Sequence, residues 1–329
     1  MRIPCSVLEL VPVGEGFTST QALQQSVELA RLAESLGYTR FWLAEHHGMP
    51  GIASSSPDVL IAHVAAHTKK IRVGAGGVML PNHAPLRVAE AFHTLEALHP
   101  GRIDLGIGRA PGTDPATSRA LRPFDASEFP SQLKELIALS RREFPEDHPF
   151  HAVQVVPDDV KLPPIWILGS SGASARFAGS LGLGYGFASH FSPVSPLPAA
   201  NAYRESFRPS EWFERPHFIL AVAVICAETD EKAEYLAKSM ELVAVRLAKG
   251  DPGRFPTPEE AAAYPYTPRE LAIAQERRSL LIAGSPAKVR ERLLALYEET
   301  GADELMISTM VHDPKARLRS YELVAEALA

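Results

Sequence analysis

Residues 40–48 read Arg40-Phe41-Trp42-Leu43-Ala44-Glu45-His46-His47-Gly48. A short apolar run of strand-favouring residues stops at one carboxylate and two adjacent imidazoles. The layout recurs at Ile103-Asp104-Leu105-Gly106-Ile107-Gly108-Arg109, which ends in an arginine, and at Ile165-Trp166-Ile167-Leu168-Gly169-Ser170-Ser171-Gly172, which ends in a small polar turn. In a parallel β/α barrel, chemistry sits at the C-terminal ends of the strands. Three strands bringing a proton carrier, a cation and hydroxyls to one rim suggest a phosphate-bearing cofactor beside an acid/base group.

Outward from these stretches, apolar runs alternate with helical periodicity, which predicts βα units and a parallel sheet. Strands are expected at about 4–11, 40–43, 71–80, 103–107, 165–168, 185–188, 218–226 and 304–309. Helices are expected at about 20–36, from Pro57, and at 85–98, 128–142, 173–181, 230–248 and 314–328. Thr18 and Gln21 are spaced as a capping box, Gly37 ends the first helix, and Ser56 stands as N-cap before Pro57. Eight strands with helices between them predict one α/β domain over 1–329, a (β/α)8 TIM barrel with insertions in its loops. A doubly wound sheet is the competing architecture. The Pro-rich polar segments 110–127, 143–163 and 249–267 read as the insertions, and loops of this length over a barrel are often lids.

The bulk properties narrow the function. The 329 residues are 46% hydrophobic and 22% charged, an ordinary globular composition with enough chain for a core without staples. The net charge is −6 and no basic run stands out, which gives nucleic-acid binding no support. No stretch of apolar residues is long enough for a membrane span. Arg2 is the only early positive charge, and Pro4 and Pro12 bracket the apolar run between them, so no signal peptide is expected and the cytoplasm is the expected location. Cys5 and Cys226 lie far apart in apolar runs and are expected as buried, reduced thiols.

Each candidate residue has a functional and a structural reading. An imidazole exchanges protons near neutral pH, and alternation along a strand lets only one of His46 and His47 face the mouth easily. The alternative is a histidine packed under a loop. Arg109 is a permanent cation with a phosphate-matching fork, or else half of a rim ion pair. Ser170, Ser171 and Ser174 surround a helix N-terminus suited to an anion, where plain capping would need only one serine. Gly74-Ala75-Gly76-Gly77 marks either a ring lying against that strand or tight barrel packing. His190 and His312-Asp313, with His46 or His47, could form a metal site, but Val7-Leu8-Glu9-Leu10 lacks the histidines that metal-dependent barrels carry on the first strand, and no metal is assigned. His63, His67 and His93 fall on helices and read as helix-face or interface residues.

The chain resembles the luciferase-like monooxygenase family, the flavin-dependent relatives of bacterial luciferase. The resemblance rests on residues 41–47, 71–81, 101–109 and 169–171 in that order, together with Ala227-Glu228-Thr229-Asp230 and Gly284-Ser285-Pro286. It implies a (β/α)8 barrel holding reduced FMN in its mouth. By that resemblance His46 matches the active-site histidine that assists at the flavin hydroperoxide. Gly76 and Gly77 match a bulge, often a non-prolyl cis peptide, against the isoalloxazine. Arg109 matches the arginine on the flavin phosphate, and Gly169, Ser170, Ser171 and Ser174 match the turn that cradles it. Glu45, His47 and His190 are expected at the substrate pocket.

The implied activity is oxygenation of a small organic substrate with O2. Gly106-x-Gly108 lacks the third glycine and following helix of a nicotinamide fingerprint, so reduced FMN is expected from a separate NAD(P)H:flavin reductase. The chain departs from bacterial luciferase at Gly108, where that enzyme carries a reactive cysteine, and light emission is not expected. An F420-dependent hydride-transfer enzyme on the same fold is the enzymatic alternative. A flavin-binding protein without catalysis is the other, although a pure binder has no need of His46. Relatives dimerise through the region of the small-residue helices expected here from Pro57 and at 85–98, which implies a homodimer.

Overall fold

The computed structural model describes residues 3–122 and 125–329; Arg2 lies outside them, as do Pro123 and Phe124 within the first expected insertion. The strands are β1 (Cys5–Glu9), β2 (Arg40–Leu43), β3 (Arg72–Ala75), β4 (Val78–Met79), β5 (Ile103–Gly108), β6 (Ile165–Gly169), β7 (Gly184–Ala188), β8 (Phe218–Cys226), β9 (Leu281–Gly284) and β10 (Glu304–Ser308). β1, β2, β3, β5, β6, β7, β8 and β10 pair in parallel in that order, and β10 returns to β1. The expected (β/α)8 barrel is therefore present, with its eight ring strands where the sequence puts them.

β8 is longer than its neighbours and has two partners on one side. Its residues Ile219 to Ala223 pair with β10 and close the ring, while Ala223 to Cys226 pair with β9. β9 is thus an extra strand laid on the upper half of β8. Its four residues give too short a pattern to stand out in the sequence.

Local signals account for much of the remainder. Thr18 and Gln21 form the capping box, and Gly37 ends helix Ser19–Leu36 in the left-handed region, as expected. Ser56 differs from expectation: helix Pro57–His67 begins there, but the side chain makes no capping bond. The strand expected at 71–80 is interrupted at Gly76-Gly77 and splits into β3 and β4, followed by a 3-10 turn at Leu80–Asn82. Helices Pro115–Leu121 and Pro258–Ala263 lie within expected insertions, and Leu197–Ser206 and Pro268–Ser279 were not foreseen. All four have proline in the first turn. Proline is compatible with that position although it reads as loop punctuation in sequence.

Charge closes the floor of the barrel. The buried Arg40 guanidinium lies 2.8 Å from Glu304 and 2.9 Å from Asp104. Arg72 reaches Asp104 at 2.7 Å, and the Trp42 indole N–H donates to it at 3.1 Å. Buried charges persist where they are mutually paired and hydrogen-bonded, as here. Trp42 and Trp166 cross edge to face above them, with ring centroids 5.3 Å apart. Access is left to the opposite end, where the strands finish. Cys226 is buried and its thiol pushed up to about 12 by burial, whereas Cys5 is half-buried rather than buried as expected. No described helix is long and apolar enough to cross a membrane.

Candidate active site

Glu45 follows β2 and is completely buried. Its carboxylate accepts from His47 Nε2 at 2.9 Å, His83 Nε2 at 2.9 Å and the Met79 N–H at 3.0 Å. Burial would raise its pKa, but the bonds from His47 and His83 hold it down to about 2. Glu45 is therefore a fixed anion whose reach to the mouth is through the two imidazoles. His83 was missed by sequence reasoning because it lies 38 residues away with no local signal.

His46 is turned differently. Its backbone N–H donates to Ser54 O at 2.9 Å, and its Nδ1 lies 3.2 Å from Gly112 O. A carbonyl only accepts, so Nδ1 carries the proton. Burial lowers the pKa of His46, outweighing the bond to Gly112, so the ring is neutral at pH 7 and its Nε2 has a lone pair. The Gly112 carbonyl also accepts from the His47 N–H at 3.2 Å, and Thr113 Oγ1 donates to His47 O at 2.6 Å. The loop after β5 thus clamps the two histidines. Gly112 has φ +69°, and a Cβ there would lie 2.8 Å from Glu45 O, so glycine is required.

β7 stands four strands round the ring from β2, on the opposite side of the mouth. His190 follows β7, and its buried Nδ1 has no hydrogen-bond partner among the described residues. Burial, then the nearby Arg277 guanidinium and His46, push His190 down to about 3. Arg277 Nη1 donates to His190 O at 3.0 Å. Arg277 was not singled out in the sequence, since its helix was not foreseen.

Arg109 follows β5 and is exposed, with no ion pair or hydrogen bond among the described residues. The β5–β6 register, Ile107 opposite Ile167, sets Arg109 level with Gly169, beside the serine turn. There Ser171 caps helix Gly172–Ser180, accepting from the Ser174 N–H at 3.4 Å. Ser174 Oγ donates to Ser171 O at 2.9 Å and lies 3.1 Å from Tyr185 Oη. Ser170 adds a half-buried hydroxyl. A free guanidinium beside a helix N-terminus and its hydroxyls is a donor set that fits a phosphate.

The Gly76–Gly77 peptide is cis. A Cβ on Gly76 would lie 2.6 Å from the Leu8 side chain, and one on Gly77 2.7 Å from Gly106 O. A Cβ on Gly74 would lie 2.5 Å from Asp104 O. Tight packing of the barrel against itself accounts for these glycines.

The segment following helix Asp230–Ala248 forms a strap over the rim. Phe255 exchanges backbone bonds with Val13 (2.9 Å) and Glu15 (2.8 Å), in the loop after β1. Arg246 ties Glu15 (2.8 Å) to Glu260 (2.5 Å). A Cβ on Gly51 would lie 2.6 Å from Gly253 O, so the strap also presses on the loop after β2. With Arg277 on His190, the strap borders the half of the mouth from β7 round to β2. Arg109 and the serine turn occupy the other half. His312 donates to Glu15 O at 2.9 Å, and Asp313 caps helix Pro314–Leu328. Among the described residues no group of three His, Cys, Asp or Glu is placed to hold a metal ion.

The luciferase-like monooxygenase family profile matches residues 6–304. The Bacillus subtilis protein YvbT is 46% identical over 98% of this chain and 95% of its own length. An Escherichia coli luciferase-like monooxygenase is 43% identical over 98% and 96%. The Bacillus subtilis N-acetyl-S-alkylcysteine monooxygenase is 36% identical over 99% and 98%. Among solved structures, apo-MsnO8 is 41% identical with a TM-score of 0.88, covering 99% of this chain and 98% of its own. Two others share the fold at a TM-score of 0.70. One is the oxygenating constituent of 3,6-diketocamphane monooxygenase in complex with FMN, 21% identical and covering 99% and 98%. The second is an F420-dependent secondary alcohol dehydrogenase, 15% identical and covering 100% of both chains.

Proposed function

The chain belongs to the luciferase-like monooxygenase family, and from that premise we propose that it oxygenates a small organic substrate with O2 and FMN reduced by a separate NAD(P)H:flavin reductase. The observation that carries this reading is the unpaired Arg109 level with the serine turn, at the mouth that also holds a neutral His46. When bound, reduced FMN would supply the activation of O2. The Arg109 fork binds its phosphate, and Ser170, Ser171 and the N–H groups of helix Gly172–Ser180 complete that seat, with Ser174 and Gly169 shaping the turn. The ring would lie against the Gly76–Gly77 peptide, whose form the tight barrel packing around it fixes. His46 accepts and returns a proton at Nε2 while Gly112 fixes its other nitrogen. Glu45 holds His47 and His83 in place, and the strap with His190 excludes water from the substrate side.

β5 runs on into a loop rather than a helix, which supports a separate reductase as the source of reducing equivalents. The same phosphate seat suits FMN or F420. Anaerobic titration with FMNH2, FMN and reduced F420, followed by O2, separates them. Tight FMNH2 binding and a slowly decaying oxygenated-flavin absorbance are expected; selective F420 binding would move the chain to hydride transfer. Arg109→Ala should weaken FMN by roughly tenfold or more while leaving riboflavin unaffected. Equal losses would remove Arg109 from the phosphate.

A homodimer through helices Pro57–His67 and Pro85–Leu98 completes the proposal. Their outward faces carry Val59, 64% exposed, and Leu98, 63% exposed.

A further inference from the structure

Arg277 is a cation at the mouth that this reading leaves without a task. It comes from helix Pro268–Ser279 of the strap and is half-buried. Its sole hydrogen bond among the described residues uses Nη1, on the backbone carbonyl of His190. Among the described residues no carboxylate pairs with it, and burial, which lowers its pKa, is unopposed by any neighbour. The buried arginines Arg40, on the floor, and Arg317, at the start of the last helix, each have a carboxylate partner, Glu304 and Asp104 for the first and Glu9 for the second. A half-buried guanidinium without a carboxylate partner in the protein is suited to pair with an anionic ligand.

We propose that Arg277 is the substrate anchor of the mouth and that the substrate is an organic acid whose carboxylate seats on the Nε–Nη2 edge of its guanidinium. The proposal rests on the mouth being the oxygenation site and names the class of molecule it takes. Charge and shape select the class. His190 and His46 are the imidazoles beside Arg277 and both are neutral at pH 7, so Arg277 is the permanent positive charge of this group and one carboxylate balances it. The planar fork left on Arg277 matches a planar carboxylate in bidentate fashion. Arg109, just after β5 and separated from β7 by β6, serves the other half of the mouth, so the two arginines divide cofactor and substrate between them. An acid held at Arg277 would extend its far end towards His46, across the ring.

The test is ligand-observed NMR on the full-length protein, with and without FMN. The probes are alkyl carboxylates from butanoate to decanoate and phenylpropanoate, each paired with its methyl ester and with the sulfonate of the same skeleton. At least one acid is expected to bind, its ester roughly tenfold or more weakly. Arg277→Gln should abolish that preference, Arg277→Lys should keep part of it, and FMN affinity should stay unchanged in both. Should Arg277→Gln fail to fold, phenylglyoxal labelling of the unsubstituted protein gives a second readout: a bound acid slows modification of Arg277 and its ester does not. No acid preferred over its ester, preference for sulfonates over carboxylates, or a preference that survives Arg277→Gln would overturn the proposal. So would a loss of FMN but not riboflavin affinity in Arg277→Gln, since that would put Arg277 on the cofactor phosphate. The measurement without flavin keeps the acid site testable even if neither FMN nor F420 binds.

Discussion

His46 keeps its proton on Nδ1 because the group within reach of that atom is the Gly112 carbonyl, and burial keeps the ring neutral. Its Nε2 is then a base at pH 7 and becomes charged only below its ordinary value of 6.5. Coupling of reduced flavin to product should therefore be level near neutral pH and fall on acidification. His46→Asn should bind flavin as before, lower the product yield and lose that acid limb; a limb that persists unchanged would belong to another group. The sequence showed two histidines at a strand end and the rule that they face different ways. It could not say which one faces inward. That choice is made by Gly112, 66 residues along the chain, and by Glu45, which takes His47 for itself. Contacts of this kind exist only once distant loops meet, so Gly112, His83 and Arg277 left no trace in local patterning.

Elements whose signals are local were legible. The capping box of helix Ser19–Leu36, the apolar run of β8 and the boundaries of β2 depend on neighbours in the chain. In the strap, 249–267 reads in sequence as a Pro-rich insertion and helix Pro268–Ser279 goes unseen, because the strap's helices are short, start at proline and are charged along much of their length. Its attachment is the testable part. Arg246 is the ionic link between the strap and the loop after β1, supported by the Phe255 backbone pairing. Partly exposed pairs of this kind contribute only about 1 kcal/mol or less each. Arg246→Ala should accordingly leave the melting temperature nearly unchanged while amide exchange quickens over 249–262. Unaltered exchange there would mean that the Phe255 pairing holds the strap alone.

At the level of the whole molecule, the barrel was legible because eight apolar runs in βα alternation leave little choice of topology. Acid should be its weakness. His190 has a folded value of about 3 against 6.5 ordinarily, so the unfolded chain takes up the proton first and stability falls as pH drops from 6.5 towards 3. Glu45, at about 2 against 4.5, removes a further contribution as pH drops from 4.5 towards 2. The His190 contribution is on the order of 2–4 kcal/mol. Denaturant melts of His190→Gln should show a shallower loss between pH 6.5 and 4 than the parent; parallel curves would place the acid sensitivity elsewhere. If the proposed dimer forms through helices Pro57–His67 and Pro85–Leu98, the parent should sediment at the mass of two chains and Val59→Asp at the mass of one, without changing the fold by circular dichroism; equal masses for the two would remove this face as the interface.

The split partnership of β8 has a consequence for how such a protein can be remade. Its lower half zips the ring shut with β10, while its upper half pairs with β9, where the chain returns from the strap. The stretch between Cys226 and Glu304 thus leaves and rejoins the barrel at neighbouring strands. A redesigned stretch would have to keep helix Pro286–Thr300, whose Val289 and Leu293 sit in the core, and the strap's anchors at Val13, Glu15 and His190. Between those anchors its length and side chains are the part of the molecule that can vary while the ring register stays as it is.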